Sequence, residues 1–247
     1  MRFAKGHGTE NDFLILTGQE ECRDLPPGLV ARLCDRRAGI GADGVLRAVR
    51  TASPGTAASS AGPAGTQAQP EWFMDYRNAD GSLAEMCGNG IRVFARYLIG
   101  AGLAAGPEFT VATRSGLRRV RTEPDGDISA DMGPAIPLGP GRAGLGGRVW
   151  DGLRISVGNP HLACIVDEPL EKLDLSAAPD LDPVAFPEGG NLELVQLTGT
   201  ASASMRVHER GSGETRSCGT GAVAAALAAA RARGQDTGVW RITVPGG

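Results

Sequence analysis

The chain has 247 residues, 41% of them apolar, which is enough for one large domain or two of ordinary size. Its net charge of −3 and lack of a long basic run argue against nucleic acid and anionic membranes as partners. No apolar stretch reaches the roughly 18–20 residues of a membrane span. Five cysteines without framework spacing predict a reduced, cytoplasmic protein.

The first half of the chain reads as short strands, one short helix and one insertion. Proline suits a first helical position, so a helix is predicted from Pro27 to about Cys34. The stretch at residues 6–12 is too polar and glycine-rich for a buried strand. Residues 51–70 hold no large apolar side chain, which predicts a flexible surface insertion. Strands are predicted at residues 2–5, 13–16, 45–50 and 72–77.

The rest of the chain continues with short strands and two long helices. One helix is predicted to follow Cys87 and end near residues 100–102, and the other is predicted to follow Cys218 and end at about Arg233. The glycine- and proline-rich residues 133–147 are predicted as a loop. Many short strands with one long helix in each half favour the α+β class over alternating βαβ units. We expect two domains, 1–120 and 121–247. Strands are predicted at 109–112, 117–122, 128–132, 154–157, 162–166, 192–197, 203–208 and 239–244.

Cys87 has a distinctive local setting. It is followed by a Gly-Asn-Gly loop and then by apolar residues at helical spacing, so it lies just before a predicted helix N-terminus. Unpaired backbone N–H groups and the helix dipole favour a thiolate at that place. The same N–H groups can hold a carboxylate. This stretch could therefore supply both a base and a grip on an amino or hydroxy acid.

The setting of Cys87 recurs at Cys218, which is followed by Gly-Thr-Gly and a second apolar helical run. A weaker echo pairs residues 8–11 with residues 158–161, each between strand-like runs. Matching signals in the two halves predict an internal duplication with pseudo-twofold symmetry. On that hypothesis, the two thiols face each other across one cleft.

Other chemistry finds little support in the sequence. No Cys-x-x-Cys pair occurs, which argues against a zinc ribbon, and we expect no metal. A pyridoxal enzyme needs a Schiff-base lysine, and neither Lys5 nor Lys172 lies in a recognisable cofactor motif, so we expect no cofactor. Buried or surface roles without chemistry are the default for Cys22, Cys34, Cys164, His7 and His208.

Six segments together resemble the diaminopimelate epimerase family, in the family's order and over nearly the whole chain. Any one of these motifs alone would be weak, but the set is highly specific. They are GTENDF at residues 8–13, GIGADG at 39–44, NADG at 78–81, MCGNGIR at 86–92, GNPH at 158–161 and ERGSGET at 209–215, which runs into CGTG at 218–221.

The resemblance implies two similar domains, each a curled, mostly antiparallel sheet around a central helix, with the substrate between them. It also implies interconversion of LL- and meso-diaminopimelate without a cofactor, on the route to lysine and peptidoglycan. In that reaction one thiolate removes the α-proton and the other thiol returns a proton from the opposite face.

Site residues follow from the resemblance position by position. Cys87 and Cys218 match the acid/base pair, and His161 and Glu209 match residues that assist the thiols. Gly88, Asn89, Gly219 and Thr220 match the loops that donate backbone N–H groups to the reacting carboxylate. The remaining matches are substrate contacts, namely Asn11, Asn78, Asn159, Asn191, Glu209 and Arg210.

Two departures from the family pattern stand out. Many relatives carry Gln where Gly44 stands, and family members usually continue beyond the Pro-Gly-Gly at residues 245–247 by a few strands. Two alternatives stay open: a proline or hydroxyproline racemase with the same two-thiol logic, and a redox switch in which Cys87 and Cys218 form a disulfide. The sequence also leaves open whether the chain forms a homodimer.

Overall fold

The computed structural model describes residues 2–18, 25–52 and 70–247. The predicted insertion lies mostly outside these ranges, at residues 53–69, and so does Cys22. The chain divides into two compact units, Met1–Asp131 and Met132–Gly247. Each unit has its own hydrophobic clusters.

The first unit is a seven-stranded sheet whose strands lie side by side in chain order. Neighbouring strands are antiparallel except for two parallel pairs, the second with the third and the fourth with the fifth. Its helices are α1 (Pro27–Cys34), as predicted, and α2 (Gly88–Gly100). The strands are β1 (Phe3–Gly8), β2 (Asn11–Leu16), β3 (Gly44–Arg50), β4 (Trp72–Asn78), β5 (Glu108–Thr113), β6 (Gly116–Thr122) and β7 (Ile128–Ala130).

The sheet of the first unit curls around α2. This helix packs against β1 and β7, which lie at opposite edges of the sheet, and a flat sheet could not bring both edges to one helix. Ile91, Phe94 and Leu98 on α2 are fully buried together with Phe13 and Met74 from the sheet. Burial of such side chains contributes about 1.5–3 kcal/mol each relative to exposure. The apolar spacing of α2 therefore fixes which face of the sheet is concave.

The β1–β2 hairpin is longer than the sequence predicts. The predicted strands leave residues 6–12 as a polar connection, but pairing continues to Gly8 opposite Asn11 and leaves Thr9 and Glu10 as the turn. Both turn residues have positive φ, 51° and 61°, as a two-residue hairpin turn requires. The prediction failed because β1 is an edge strand that is not buried, so its polar residues cost little.

The second unit contains an eight-stranded sheet and one long helix, α3 (Gly219–Ala232). A short 3₁₀ helix lies at Leu170–Lys172. Parallel pairing occurs between the third and fifth and between the sixth and eighth of its strands. These strands are β8 (Ile136–Leu145), β9 (Arg148–Ser156), β10 (Pro160–Ile165), β11 (Asp180–Leu181), β12 (Asn191–Leu197), β13 (Ser202–Glu209), β14 (Gly213–Thr215) and β15 (Arg241–Thr243).

Strand β8 replaces most of the loop predicted at residues 133–147. It pairs with β9 along its whole length, with a register shift between Pro137 and Gly139. Gly139 has a φ of +98°, and a Cβ at Gly141 would lie 2.6 Å from Arg154 Cγ. The glycines that suggested a loop instead allow a bulge and a close side-chain approach within a strand.

The two units repeat one arrangement, which confirms the predicted duplication. In the first, β1 to β5 pair in the order antiparallel, parallel, antiparallel, parallel. In the second, β9, β10, β12, β13 and β15 pair in the same order. In each series, the helix that follows a cysteine comes directly before the last strand: α2 precedes β5, and α3 precedes β15. The fold class is α+β, as expected.

The limit between the units follows strand pairing. Strand β7 pairs with β6, so the first unit runs to Asp131, whereas the predicted boundary near residue 120 falls inside β6. Among the described residues, no helix has the length and apolar character that crossing a membrane would require. The same part of the chain contains no cluster of three potential metal-binding side chains.

Candidate active site

Cys87 lies where the sequence predicts it, at the N-terminus of α2. Its backbone is extended, with φ −135° and ψ 121°, and its Sγ accepts a hydrogen bond from the N–H of Gly90 at 3.3 Å. The side chain is half-buried. A helix N-terminus offers unpaired donors and positive potential, and both favour negative charge on the sulfur.

Asn11 is the polar side chain that meets Cys87 from the sheet. The Cys87 thiol donates to Asn11 Oδ1 at 3.7 Å, and Asn11 Nδ2 donates to Asp43 Oδ2 at 2.8 Å. Because a carboxylate only accepts, Asp43 fixes the amide so that its oxygen faces the sulfur. Arg36 in turn bonds both Asp43 and Asp12. Asp43 was not singled out from the sequence, although it lies in the GIGADG motif.

The other predicted residues of the first unit lie in the first turn of α2 or at the end of β4. Gly88 and Asn89 are buried in the first turn of α2, where Asn89 accepts a hydrogen bond from Arg92 at 2.6 Å. Asn78 bonds Ser82 and closes the predicted turn at residues 78–81. A Cβ at Gly44 would lie 2.6 Å from the carbonyl oxygen of Arg77, so glycine suits this position in the present chain.

Cys218 occupies the matching place at the N-terminus of α3. Its φ of −131° and ψ of 120° are within a few degrees of those of Cys87. A Cβ added three residues later, at Gly90 or Gly221, would lie 3.2 Å from the Cβ of the preceding cysteine in either unit. A glycine at that point therefore lets each cysteine lie tightly over the first helical turn.

The two thiols differ in their surroundings. Burial raises the pKa of Cys218 well above 9.0, and the charges of Glu209 and Glu193 raise it further. Thr220 and the backbone N–H of Gly221 act in the opposite direction. The Cys218 side chain is buried, whereas that of Cys87 is half-buried.

His161 lies on β10 and reaches Cys218 through two other side chains. Its Nδ1 is 2.7 Å from Glu193 Oε1 and its Nε2 is 2.9 Å from Asn159 Oδ1. Asn159 Nδ2 donates to Thr220 Oγ1 at 3.3 Å, and this hydroxyl lies 3.5 Å from Cys218 Sγ. Three predicted residues, His161, Asn159 and Thr220, thus form one connected path.

Glu209 is the last residue of strand β13, and Arg210 follows it. Burial raises the pKa of the Glu209 carboxyl, while hydrogen bonds from Thr215 and Cys218 partly offset that rise. The backbone N–H of Arg210 donates to Asn191 Oδ1 at 2.9 Å, and its guanidinium lies 3.7 Å from Glu188. Glu209 therefore contacts the thiol, and Asn191 holds the loop that carries Arg210.

Register along the strands relates the two halves residue by residue. The hypothetical Cβ of Gly90 meets Leu46 Cδ2 at 3.2 Å, and that of Gly221 meets Glu193 Oε1 at 2.8 Å. Leu46 on β3 and Glu193 on β12 thus occupy equivalent positions. Strand β3 is parallel to its neighbour β2, and β12 is parallel to its neighbour β10.

The same register extends to the neighbouring strands. Ile15 lies opposite Leu46 and Ala163 lies opposite Glu193. Two residues before Ile15 on β2 lies Phe13, and two before Ala163 on β10 lies His161, so these two are equivalent. Four residues before the same starting points, Asn11 is equivalent to Asn159. The sequence similarity between residues 8–11 and 158–161 aligned residue 11 with residue 161, which is two residues away from the alignment given by the strands.

Glu193 is the residue of this region that sequence analysis missed. It is fully buried, and the signal was its charge within the apolar run NLELVQL of β12.

The remaining cysteines differ from the pair at the helix ends. Burial raises the pKa of Cys34 to about 11 and that of Cys164 to about 12, which fits the structural role expected of them. His7 is exposed and His208 is buried.

Comparison with known proteins gives one consistent family. The family model for diaminopimelate epimerase matches residues 3–137 and 153–247. A diaminopimelate epimerase of Thermobifida fusca is 58% identical over 247 residues, covering 100% of this chain and 89% of that protein. One from Mycolicibacterium smegmatis is 50% identical over 261 aligned positions, with coverage of 100% and 88%.

Solved structures with the same fold are more distant in sequence. A probable proline racemase from Agrobacterium radiobacter, with bound carbonate, matches with a TM-score of 0.65 at 14% identity, covering 95% of this chain and 78% of that one. A hydroxyproline epimerase from Agrobacterium vitis, with bound trans-4-hydroxy-L-proline, matches with a TM-score of 0.62 at 12% identity and the same coverage. These identities show a shared fold alone.

Proposed function

The chain belongs to the diaminopimelate epimerase family, and on this premise we propose that it interconverts LL- and meso-2,6-diaminopimelate with two cysteines and no cofactor. Cys87 and Cys218 are the acid/base pair of this proposal. The reaction supplies precursor for lysine and peptidoglycan synthesis. Relatives at 50–58% identity carry the name of this activity, which supports the substrate.

One observation carries the proposal. Each half of the chain places a cysteine at a helix N-terminus, in nearly the same backbone conformation and with a glycine three residues later. The two cysteine side chains differ in burial, so a packing role shared by both halves does not explain why a thiol stands at both places. The repetition supports a paired chemical role.

The chemistry needs a base, an acid and a place for negative charge. When the α-proton leaves, the electron pair moves toward the carboxylate and gives an enolate-like dianion. Backbone N–H groups at the N-termini of α2 and α3 are fixed dipoles suited to that charge. Gly88 and Asn89 supply them in one unit, and Gly219 and Thr220 supply them in the other. A proton returned to the opposite face completes the inversion.

The two sulfurs take opposite roles in each turnover. Cys218 is a thiol because burial and two neighbouring carboxyl groups raise its pKa, so it serves as the acid in the first turnover. Cys87 accepts a backbone hydrogen bond at a half-buried helix end, and it serves as the base once its own proton has passed to solvent. Glu209, which contacts Cys218, assists the proton transfer there. The reverse reaction exchanges these roles.

Asparagine and arginine side chains at strand ends recognise the substrate in this proposal. Asn78 and Glu209 end the equivalent strands β4 and β13, and Arg210 follows Glu209. Arginine pairs with a carboxylate in a bidentate manner. An amino acid with a second charged end would use such a group, whereas proline has no distal charge.

The test is conversion of purified substrate. Incubation of the protein with LL-diaminopimelate, without added cofactor, is expected to give meso-diaminopimelate by chiral chromatography, and L-proline or trans-4-hydroxy-L-proline is expected to stay unchanged. Conversion of proline in place of diaminopimelate would favour the racemase alternative. Full activity after oxidation to a Cys87–Cys218 disulfide would contradict a role for both thiols.

A further inference from the structure

Glu193 and His161 form a buried polar pair in the core of the second unit. Both side chains have zero solvent exposure, and Glu193 Oε1 lies 2.7 Å from His161 Nδ1. A carboxylate moved into a protein interior loses several kcal/mol of hydration free energy unless a partner compensates it. Among the described residues, Glu193 Oε2 is buried without a hydrogen-bond partner, so the contact of Oε1 with the His161 ring is the one that compensates this carboxyl.

The first unit shows that the fold does not require this pair. Phe13 and Leu46 occupy the positions equivalent to His161 and Glu193, and both are fully buried in the apolar cluster under α2. The same sheet and helix are thus built with two hydrocarbon side chains at these positions. Packing alone does not explain a histidine and a glutamate in the second unit.

Hydrogen-bond direction connects the pair to the sulfur. Asn159 Oδ1 is an acceptor, so a proton on His161 Nε2 would point to it, and a proton on Nδ1 would point to the Glu193 carboxylate. Asn159 Nδ2 donates to the Thr220 hydroxyl. That hydroxyl has one proton of its own, which is left to point at Cys218 Sγ.

We propose that Glu193 is a positioning residue for the Cys218 thiol. Its carboxylate holds His161 as the doubly protonated ring, and this orients Asn159 and Thr220 so that a hydroxyl donates to the sulfur. The carboxyl lies under the first turn of α3, since a Cβ at Gly221 would meet its Oε1 at 2.8 Å. The other carboxyl that faces Cys218 belongs to Glu209.

The role of this path is to stabilise Cys218 when it loses its proton, and it rests on the proposed function. When Cys218 gives its proton to the α-carbon, negative charge remains on the sulfur and the Thr220 hydroxyl bonds it. When Cys218 takes the α-proton, the thiol forms again and the path is unchanged. In the first unit, Phe13 stands in the place of this histidine.

Nitrogen NMR tests the protonation of His161 without any substrate. The chain has three histidines, so ¹⁵N-histidine labelling gives few ring signals, and the H161N variant assigns those of His161. Near neutral pH we expect both ring nitrogens of His161 to be protonated in the wild type and one of them to lose its proton in E193Q. The control E168Q alters an exposed carboxyl and should leave the spectrum unchanged. A singly protonated ring in the wild type, or no change in E193Q, overturns the proposal.

Kinetics test the connection to Cys218. For α-proton exchange on diaminopimelate, E193Q and T220V should each lower kcat by at least about tenfold. KM should stay nearly unchanged, since both variants keep the backbone N–H of residue 220 that holds the substrate carboxylate. T220S retains the hydroxyl and should restore most of the rate. The double variant E193Q/T220V should be no slower than the slower single variant, because both break one path. Losses that multiply would show independent effects and would reject the path.

Two provisions keep the outcomes distinct. If E193Q does not fold, the H161F/E193L variant reproduces the apolar pair of the first unit, and it should fold and lose the same rate as T220V. Wild-type rate in that variant would overturn the proposal. If the wild type fails to exchange the α-proton of diaminopimelate, the proposed function is wrong, while the NMR result still decides whether Glu193 sets the state of His161.

Discussion

Single side chains set the chemistry of this protein, and their surroundings matter more than their types. The described chain contains four cysteines, but only Cys87 and Cys218 lie at helix N-termini. The glycine-flanked motifs were sufficient to predict both positions. Glu193 and Asp43 were not predicted, because their roles depend on partners brought together by strand pairing between distant segments.

Thiol reactivity follows from these surroundings. In the native protein near pH 8, we expect iodoacetamide to modify Cys87 much faster than Cys34, Cys164 or Cys218, because burial raises the pKa of those three thiols. Peptide mapping by mass spectrometry gives each rate. In urea all four should react at similar rates. Modification of native Cys164 as fast as Cys87 would show that its burial does not protect it.

Asp12 makes the stability of the first unit depend on acid. Burial acts to raise the pKa of Asp12, but hydrogen bonds from Arg36 and Lys5 outweigh it and lower the pKa from 3.8 to about 2. A depressed pKa stabilises the folded state above the unfolded value, and this contribution disappears as pH falls from 3.8 through about 2. Urea unfolding should therefore show D12N less stable than wild type at neutral pH, with the gap closing in that window.

The control for this prediction is an exposed ion pair. D151N removes an aspartate paired with Arg142 at 79% side-chain exposure, and such pairs contribute little. Its stability should follow that of the wild type at every pH. A gap between D12N and the wild type that stays constant down to pH 2 would show that the Asp12 carboxylate is not the origin.

At the level of helices and strands, apolar periodicity predicted most elements. The prediction was wrong where glycine residues lie within a strand. Helix α1 was found at its predicted bounds, and α2 and α3 begin directly after their cysteines as predicted. Strand β8 was missed because its glycines and prolines resemble a loop in the sequence. Its strand conformation comes from pairing with β9, which local sequence does not reveal.

Gly81 shows how one turn fixes the connection that leads to Cys87. Its φ is +86°, and a Cβ there would overlap the backbone of Pro27 at the start of α1. Gly126 has a similar φ of +91° but open space around it. We expect G126A to lower the free energy of unfolding by about 1–2 kcal/mol, the cost of a left-handed backbone, and G81A by more than about 3 kcal/mol. Equal losses in urea titrations would mean that the contact with Pro27 contributes nothing.

Over the whole molecule, duplication and divergence explain how one fold carries two unequal thiols. The strand series and the two cysteine-capped helices repeat. The sequence predicted this repetition because both motifs survive in it. The difference between an apolar pair in one half and Glu193 with His161 in the other appears only through the strand register.

The central claim is that Cys87 and Cys218 together invert one carbon atom. The most direct measurement is deuterium uptake at the α-carbon of LL- and meso-diaminopimelate in D₂O, for the wild type, C87A and C218A, with circular dichroism to confirm folding. We predict uptake and epimerisation by the wild type, and loss of epimerisation by at least about a thousandfold in each alanine variant, the scale of acid/base catalysis. A folded C87A or C218A variant that epimerises at the wild-type rate would contradict the account.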